Sequence, residues 1–386
     1  MARATIGSRE MIERLIGYDT TSRESNLPLI EFVRDYLDGY GIKSDLVFDD
    51  ARNKANLYAT IGPADIGGVV LSGHTDVVPV DGQAWDSDPF SIAERDDKLF
   101  GRGTCDMKGF IAIALAMVPE FVEQKLSSPV HFAFSFDEEV GCIGVRPLIE
   151  HIRDNLPKPK IVIVGEPTNM TVVNAHKSGY SFMTEVTGLE AHSSVTHLGV
   201  NSIMAASDLI GELGRVGAEM MQRTDESGRF DPPYTTVHVG TIEGGTALNI
   251  VPRCCSFHWE YRGLPDQDDN EIPDRFNGYA EGTVLPGMQA VSDEARIETT
   301  CVNAVPGLVP QEGSPAEALA LRLAQQNDTF AVSYGTEAGL FQEAGMPAVI
   351  CGPGDILQAH KPNEFLALEQ VGRCEGFMRR LVKHLA

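Results

Sequence analysis

The sequence predicts an α/β protein in which a domain built on a mixed, mostly parallel sheet is interrupted by a smaller α/β domain. Three observations predict it. "GGVVLSGH" (67–74), "HFAFSFDEE" (131–139) and "IVIVGEP" (161–167) are apolar runs that stop abruptly at ionisable residues, the pattern of strands buried on both faces. Between the first two lies "MKGFIAIALAMVPEFVEQK" (107–125), whose apolar spacing and alanines predict a helix returning over the sheet, a β-α-β order. Further on, "YSFMTEVTG" (180–188), "TTVHVGTIEGG" (235–245) and "CSFHWEYRG" (255–263) alternate as antiparallel strands exposed on one face do.

Taken in order, the chain opens on "MARATIGSREMIERLIGYDTTS", which mixes Arg and Glu into a helical apolar pattern and has no long uncharged core of the kind a secretory signal carries. No apolar run approaches membrane-spanning length. The stretch "VNSIMAASDLIGELGRVGAEM" (200–220) predicts a helix covering the alternating strands. After 293 strand and helix alternate again, with "PAVICGPG" (347–354) as a buried strand and "PNEFLALEQVGRCEGFMRRLVKHL" (362–385) as a closing helix.

Composition narrows the partners. The 386 residues carry 55 acidic and 31 basic side chains, a formal net charge of −24. A surface of that sign repels the phosphates of nucleic acid and anionic membranes, so neither is expected as a partner. The 7 cysteines are odd in number and scattered apart from Cys254-Cys255, which fits neither a disulfide framework nor zinc-thiolate spacing. A reducing cytoplasm is the expected location.

In an open α/β sheet, reactive groups collect beyond the carboxyl ends of the strands. His74, Asp76, Glu138, Glu139 and Glu166 all occupy such ends, and "GRGTCDMKG" (101–109) supplies Asp106 just before the helix. If the strands run parallel, these carboxylates meet one imidazole at a single edge. Their mutual repulsion in a cleft of low dielectric calls for a divalent cation. Asp76, two residues after His74, can accept the second ring N–H and fix the tautomer. Adjacent side chains on an extended segment point apart, so Glu138 and Glu139 cannot easily hold the same ion and Glu138 is left free to move protons.

H-T-D-V-V-P, G-R-G-x-x-D-M-K-G, D-E-E-V-G and G-E-P-T, in this order, resemble the co-catalytic zinc amidohydrolases and peptidases. The resemblance continues through "EAHSSVTHLGVN" (190–201), "GGTALNIVP" (244–252) and "QAHKPNEF" (358–365), so it spans nearly the whole chain. It implies a metal-binding catalytic domain over 1–177 and 293–386, with a dimerisation or lid domain over 178–292. It also implies that His74 and Glu166 hold one ion, Glu139 and His360 hold the other, and Asp106 bridges them. Two ions so linked sit ~3.5–4 Å apart and acidify a shared water. Zinc is implied first; cobalt and manganese also suit histidine and carboxylate donors.

By the same resemblance, Glu138 is the general base, and the Asp106–Met107 peptide is cis. His192 reaches across a homodimer to the oxyanion, Asn249 binds the substrate, and Arg262 grips its α-carboxylate through paired N–H groups. The implied substrate is a small N-acyl amino acid. Relatives that remove a succinyl group have an arginine where this chain has Leu340, which disfavours a second acyl carboxylate; a dipeptidase or broad aminoacylase stays open. A different class, a binding protein that kept the fold and lost its chemistry, is disfavoured because Glu138 and every ligand position are filled.

Overall fold

The computed structural model describes residues 5–386 and divides the chain into two compact units. Residues 1–4, the start of the N-terminal segment read above for a secretory signal, lie outside the described residues. The first unit takes in Met1–Ala175, Pro310–Phe330 and Thr336–Ala386; the second takes in His176–Val309 and Ala331–Gly335. Among the described residues, no helix is long and apolar enough to cross a membrane.

The first unit is organised by an eight-stranded mixed sheet. Its strands run in the order Ser44–Phe48, Ala55–Ile61, Val130–Ser135, Val69–His74, Ile161–Pro167, Ala348–Gly352, Val172–His176 and Thr329–Val332. Three of the central strands are parallel and in step, with Val69 opposite both Val130 and Ile161. All three are buried at every position, because helices cover both faces. Their carboxyl ends therefore emerge at one edge, carrying His74, the Asp137–Glu139 turn and Glu166.

The helix expected over 107–125 is two helices, Lys108–Ala116 and Val118–Glu123. Pro119 stands in the first turn of the second helix, where its missing N–H is tolerated, and the chain is re-aimed at Met117. The first helix is buried from Lys108 to Leu115 and approaches the strands closely at two glycines. A Cβ on Gly165 would meet the Phe110 ring at 2.1 Å, and one on Gly73 would meet Ile111 at 2.9 Å. These contacts bring the start of the helix, and Asp106 just before it, against the strand ends beside Gly73 and Gly165.

The closing helix is Leu368–Leu385, shorter than the 362–385 expected. Asn363 turns at φ 58°, and Phe365–Ala367 forms a short strand paired with Lys98–Phe100 before the helix begins.

The second unit is a four-stranded antiparallel sheet in the order Thr236–Gly244, Cys254–Arg262, Gly179–Thr187 and Arg296–Val305. Cys255, Phe257, Trp259 and Tyr261 alternate onto its buried face and pack with Leu209, Leu213 and Val216 of the helix Ser202–Met220. The last strand lies beyond the boundary expected at 292, and its register against Gly179–Thr187 carries the second unit on to Val309.

Candidate metal centre

His74 ends its strand fully buried, with Nε2 2.9 Å from Asp106 Oδ1 and 3.6 Å from Glu166 Oε1. His360 arrives from the far end of the chain and is half exposed. Its Nε2 lies 3.0 Å from Glu139 Oε2 and 3.4 Å from Asp106 Oδ2. The two oxygens of Asp106 thus face different imidazoles. The peptide that follows, Asp106–Met107, is cis.

Ligand atoms of His74, Asp106 and Glu139 lie within 4.8 Å of one another, and so do those of His74, Glu138 and Glu166. Glu138 is therefore as near to the donor set as its neighbour. What sets it apart is its own partner: Cys142 Sγ donates to Glu138 Oε1 at 3.2 Å.

Electrostatics sharpen the case for a cation. Burial, partly offset by His74 and reinforced by Glu139, pushes the Glu138 carboxyl up to about 8. Burial and the Asp106 charge push Glu139 up to about 7 and Glu166 well above the ordinary carboxylate range. Burial would raise Asp106 too, but hydrogen bonds from His360 and His74 hold it below its ordinary value. Hydrogen bonds to Asp106 and Glu139 raise His360 to about 10. Burial alone would lower His74, yet its contacts with Asp106 and Asp76 raise it well above the usual value. The protein alone must balance this cluster with protons. Divalent ions would supply the same positive charge, and Glu139 Oε1 and Glu166 Oε1, both buried, have no hydrogen-bond partner among the described residues. The donor set fits hard or borderline cations.

Asp76 differs from its expected contact. His74 Nδ1 lies 2.9 Å from the main-chain oxygen of Asp76, whereas the carboxylate Oδ1 is 3.6 Å away. The carboxylate instead accepts the main-chain N–H of Glu138 at 3.1 Å and of Glu139 at 3.2 Å, and the Ser22 hydroxyl at 2.8 Å. The main-chain oxygen fixes the tautomer, and the side chain holds the turn that presents both glutamates.

His192, Asn249 and Arg262 belong to the second unit. His192 caps the short helical turn Ser193–Leu198, exposed, with Nδ1 2.7 Å from Ser194 Oγ. Asn249 is exposed on the neighbouring segment, its main-chain oxygen accepting Ser193 N–H at 3.0 Å. Arg262 ends its strand and donates to Glu260 Oε2 at 3.2 Å.

Two buried carboxylates escaped the sequence reading. Glu337 accepts from Ser72 Oγ at 3.2 Å and from Ser135 Oγ, joining two of the parallel strands just below His74 and the Asp137 turn. Burial pushes it up to about 7, against the two serine donors and His74. Glu364 accepts four donors around the Asp106 loop. Their signal was faint: each is an acid inside a short motif, "YGTEAGLF" and "HKPNEF".

A cluster of buried carboxylates around one buried and one half-exposed imidazole, at the carboxyl edge of a mixed, mostly parallel sheet, defines a metal-dependent amidohydrolase. Residues 70–384 match Peptidase family M20/M25/M40, and the chain belongs to that family. It is 35% identical over 386 residues to the acetylornithine deacetylase of Myxococcus xanthus, covering 97% of each chain. Its fold is similar to aminopeptidase PepT of Bacillus cereus, at 19% identity and a TM-score of 0.73 with 99% and 100% of the chains covered. It is also similar to the Bacillus subtilis YXEP protein, described as a dinuclear metal-binding peptidase, at 18% identity and a TM-score of 0.67 with 98% of each chain covered.

Proposed function

We propose that this protein hydrolyses the N-acyl amide of N2-acetyl-L-ornithine to L-ornithine and acetate, a step of arginine biosynthesis in the cytoplasm, as a homodimer with two divalent ions, zinc by preference. The observation that carries the two-ion reading is Asp106, whose Oδ1 faces His74 at 2.9 Å while Oδ2 faces His360 at 3.4 Å. The substrate reading is supported by the end-to-end similarity to the Myxococcus protein. The homodimer is supported by the edge strand Thr236–Gly244, which leaves Ile242 exposed, and by exposed Leu248 and Ile250 beyond it.

In this reading His74 and Glu166 would hold one ion, Glu139 and His360 the other, and Asp106 would be shared between them. Divalent ions held there would supply Lewis acidity toward an amide carbonyl and a water. Glu138 would take the proton of the attacking water as its oxygen adds to the carbonyl carbon, and return it to the nitrogen as the C–N bond breaks. Cys142 Sγ, which donates to Glu138 Oε1 at 3.2 Å, gives that carboxyl a fixed partner beside the donor set. His192 donates to the oxygen that gains charge, Asn249 orients the substrate, and Arg262 holds its α-carboxylate.

The test is a comparison of kcat/KM on N2-acetylornithine, N-succinyl-diaminopimelate and N-acetylmethionine with metal supplied. N2-acetylornithine is expected to lead. Leu340, buried in the helix Ala338–Glu343, offers no cation to a succinyl carboxylate. Preference for the succinyl compound would overturn the substrate assignment.

A further inference from the structure

His360 is half exposed and supplies its side chain from a turn near the end of the chain, so something must hold that turn against the Asp106 loop. The side chain in position to do so is Glu364, which is fully buried. Its Oε1 accepts the main-chain N–H of Cys105 at 2.8 Å and of Asp106 at 3.0 Å. Its Oε2 accepts Arg102 Nη1 at 2.7 Å and the main-chain N–H of Gly103 at 3.1 Å. One carboxylate thus satisfies three backbone donors of the segment that delivers Asp106.

The same clamp reaches the histidine. Arg102, also buried, donates to the main-chain oxygen of Lys361 at 3.4 Å and to Gln83 Oε1 at 2.7 Å, while Gln83 donates to the main-chain oxygen of His360 at 3.0 Å. His360 itself sits at φ 62°, a left-handed conformation that a non-glycine residue keeps only where its surroundings dictate it. The main-chain oxygen of Glu364 accepts Gly101 N–H at 3.0 Å, which closes the connection.

We propose that Glu364 is a positioning residue of the metal centre: its carboxylate fixes the Asp106 loop and the His360 turn in one arrangement, so that both residues meet their ions in a preformed site. The proposal rests on the two-ion reading above. A carboxylate has two oxygens with about four lone-pair sites for donors. Here four converge, three of them N–H groups whose burial without a partner would be costly, and the loop they belong to ends at the shared ligand.

Glu364→Gln tests it. The amide keeps the size but turns an N–H group toward donors, so part of the clamp must open. Divalent-ion affinity is expected to fall about tenfold or more, the range for a lost partner of metal ligands. The visible spectrum of the cobalt-loaded protein should change, and kcat should fall with KM nearly unchanged. A purely structural role would lower the melting temperature and leave ion affinity and spectrum alone. A folded Glu364→Gln protein with wild-type affinity, spectrum and kcat would overturn the proposal.

If that variant does not fold, Glu364→Asp, which keeps the charge but shortens the reach, is read in the same way. Hydrogen exchange on the metal-free wild-type protein supplies a third reading: the peptide covering 101–107 should exchange slowly, and exchange at the rate of an open loop would overturn a preformed site. Wild-type protein that binds no divalent ion at all would remove the two-ion reading instead; wild-type protein that binds two, with variants that bind them equally well, removes this inference alone.

Discussion

Asp76 Oδ2 accepts the main-chain N–H of Glu139 at 3.2 Å, and its Oδ1 takes that of Glu138 at 3.1 Å. One carboxylate therefore holds the backbone from which the proposed base and an adjacent proposed ligand project. Its ordinary assignment, as the acceptor for a ring N–H of His74, is filled by the residue's own main-chain oxygen at 2.9 Å.

Asp76→Asn should accordingly damage the turn more than the histidine. The amide must present an N–H group to one of the two backbone donors, so the Glu138 side chain loses its fixed origin. We expect kcat to fall about 10- to 100-fold while His74 stays in place. Steady-state kinetics with a metal titration check this; wild-type kcat in a folded variant would refute it.

Glu138→Gln should keep the ions and lose most of the rate, because an amide preserves shape but cannot accept a proton. Elemental analysis beside kcat is the measurement. Near-wild-type turnover at intact metal content would remove Glu138 as the base.

His360→Ala should lower metal occupancy. Its Nε2 lies 3.0 Å from Glu139 Oε2 and 3.4 Å from Asp106 Oδ2, so its loss removes a donor that faces both carboxylates. Two fully occupied sites after dialysis against a weak chelator would take His360 off the ligand set.

The strand ends were legible because continuous apolar runs of strand length break off at His74, Glu138 and Glu166, as strands buried on both faces do. The strand Arg296–Val305 was not, since its side chains are largely exposed and its polar composition reads as solvated chain. Glu364 was hidden for a different reason. Its backbone partners lie 259 and 258 residues away in sequence, and main-chain donors leave no trace in composition or periodicity. The same applies to Asp76: an H-x-D pair suggests a contact between two side chains, while the structure spends the carboxylate on backbone N–H groups from another strand end. The roles of His192, Asn249 and Arg262 came from resemblance, and nothing in their local pattern would have singled them out.

His131 gives a prediction about stability. It is buried in its strand with Nδ1 2.9 Å from Thr60 Oγ1, and burial lowers it to about 4. The unfolded chain takes up this proton near pH 6.5, the folded one only near 4, so the unfolded state holds more protons in between. Stability from this group is complete above about pH 6.5 and falls as pH drops toward 4, by on the order of 3 kcal/mol at most. His131→Gln should flatten the stability curve in that window, measured by urea unfolding at several pH values. An unchanged slope would show that His131 does not titrate as described.

The last prediction concerns His192. If it serves the active site of the partner subunit, a His192→Ala chain mixed with a Glu138→Gln chain should regain activity in the heterodimer, although each homodimer is nearly dead. One site of the mixed dimer then combines an intact Glu138 from the first chain with an intact His192 from the second. The other site carries both lesions. About half of wild-type activity per heterodimer is therefore the ceiling, since the two lesions act at the proton-transfer and oxyanion steps of a single turnover. If His192 serves its own chain, every site keeps one lesion and mixing recovers nothing. Exchange of subunits must be shown by pull-down of differently tagged chains. With exchange demonstrated, absence of recovery would refute the role across the dimer, and the ligand set of His74, Asp106, Glu139, Glu166 and His360 would be untouched by that result.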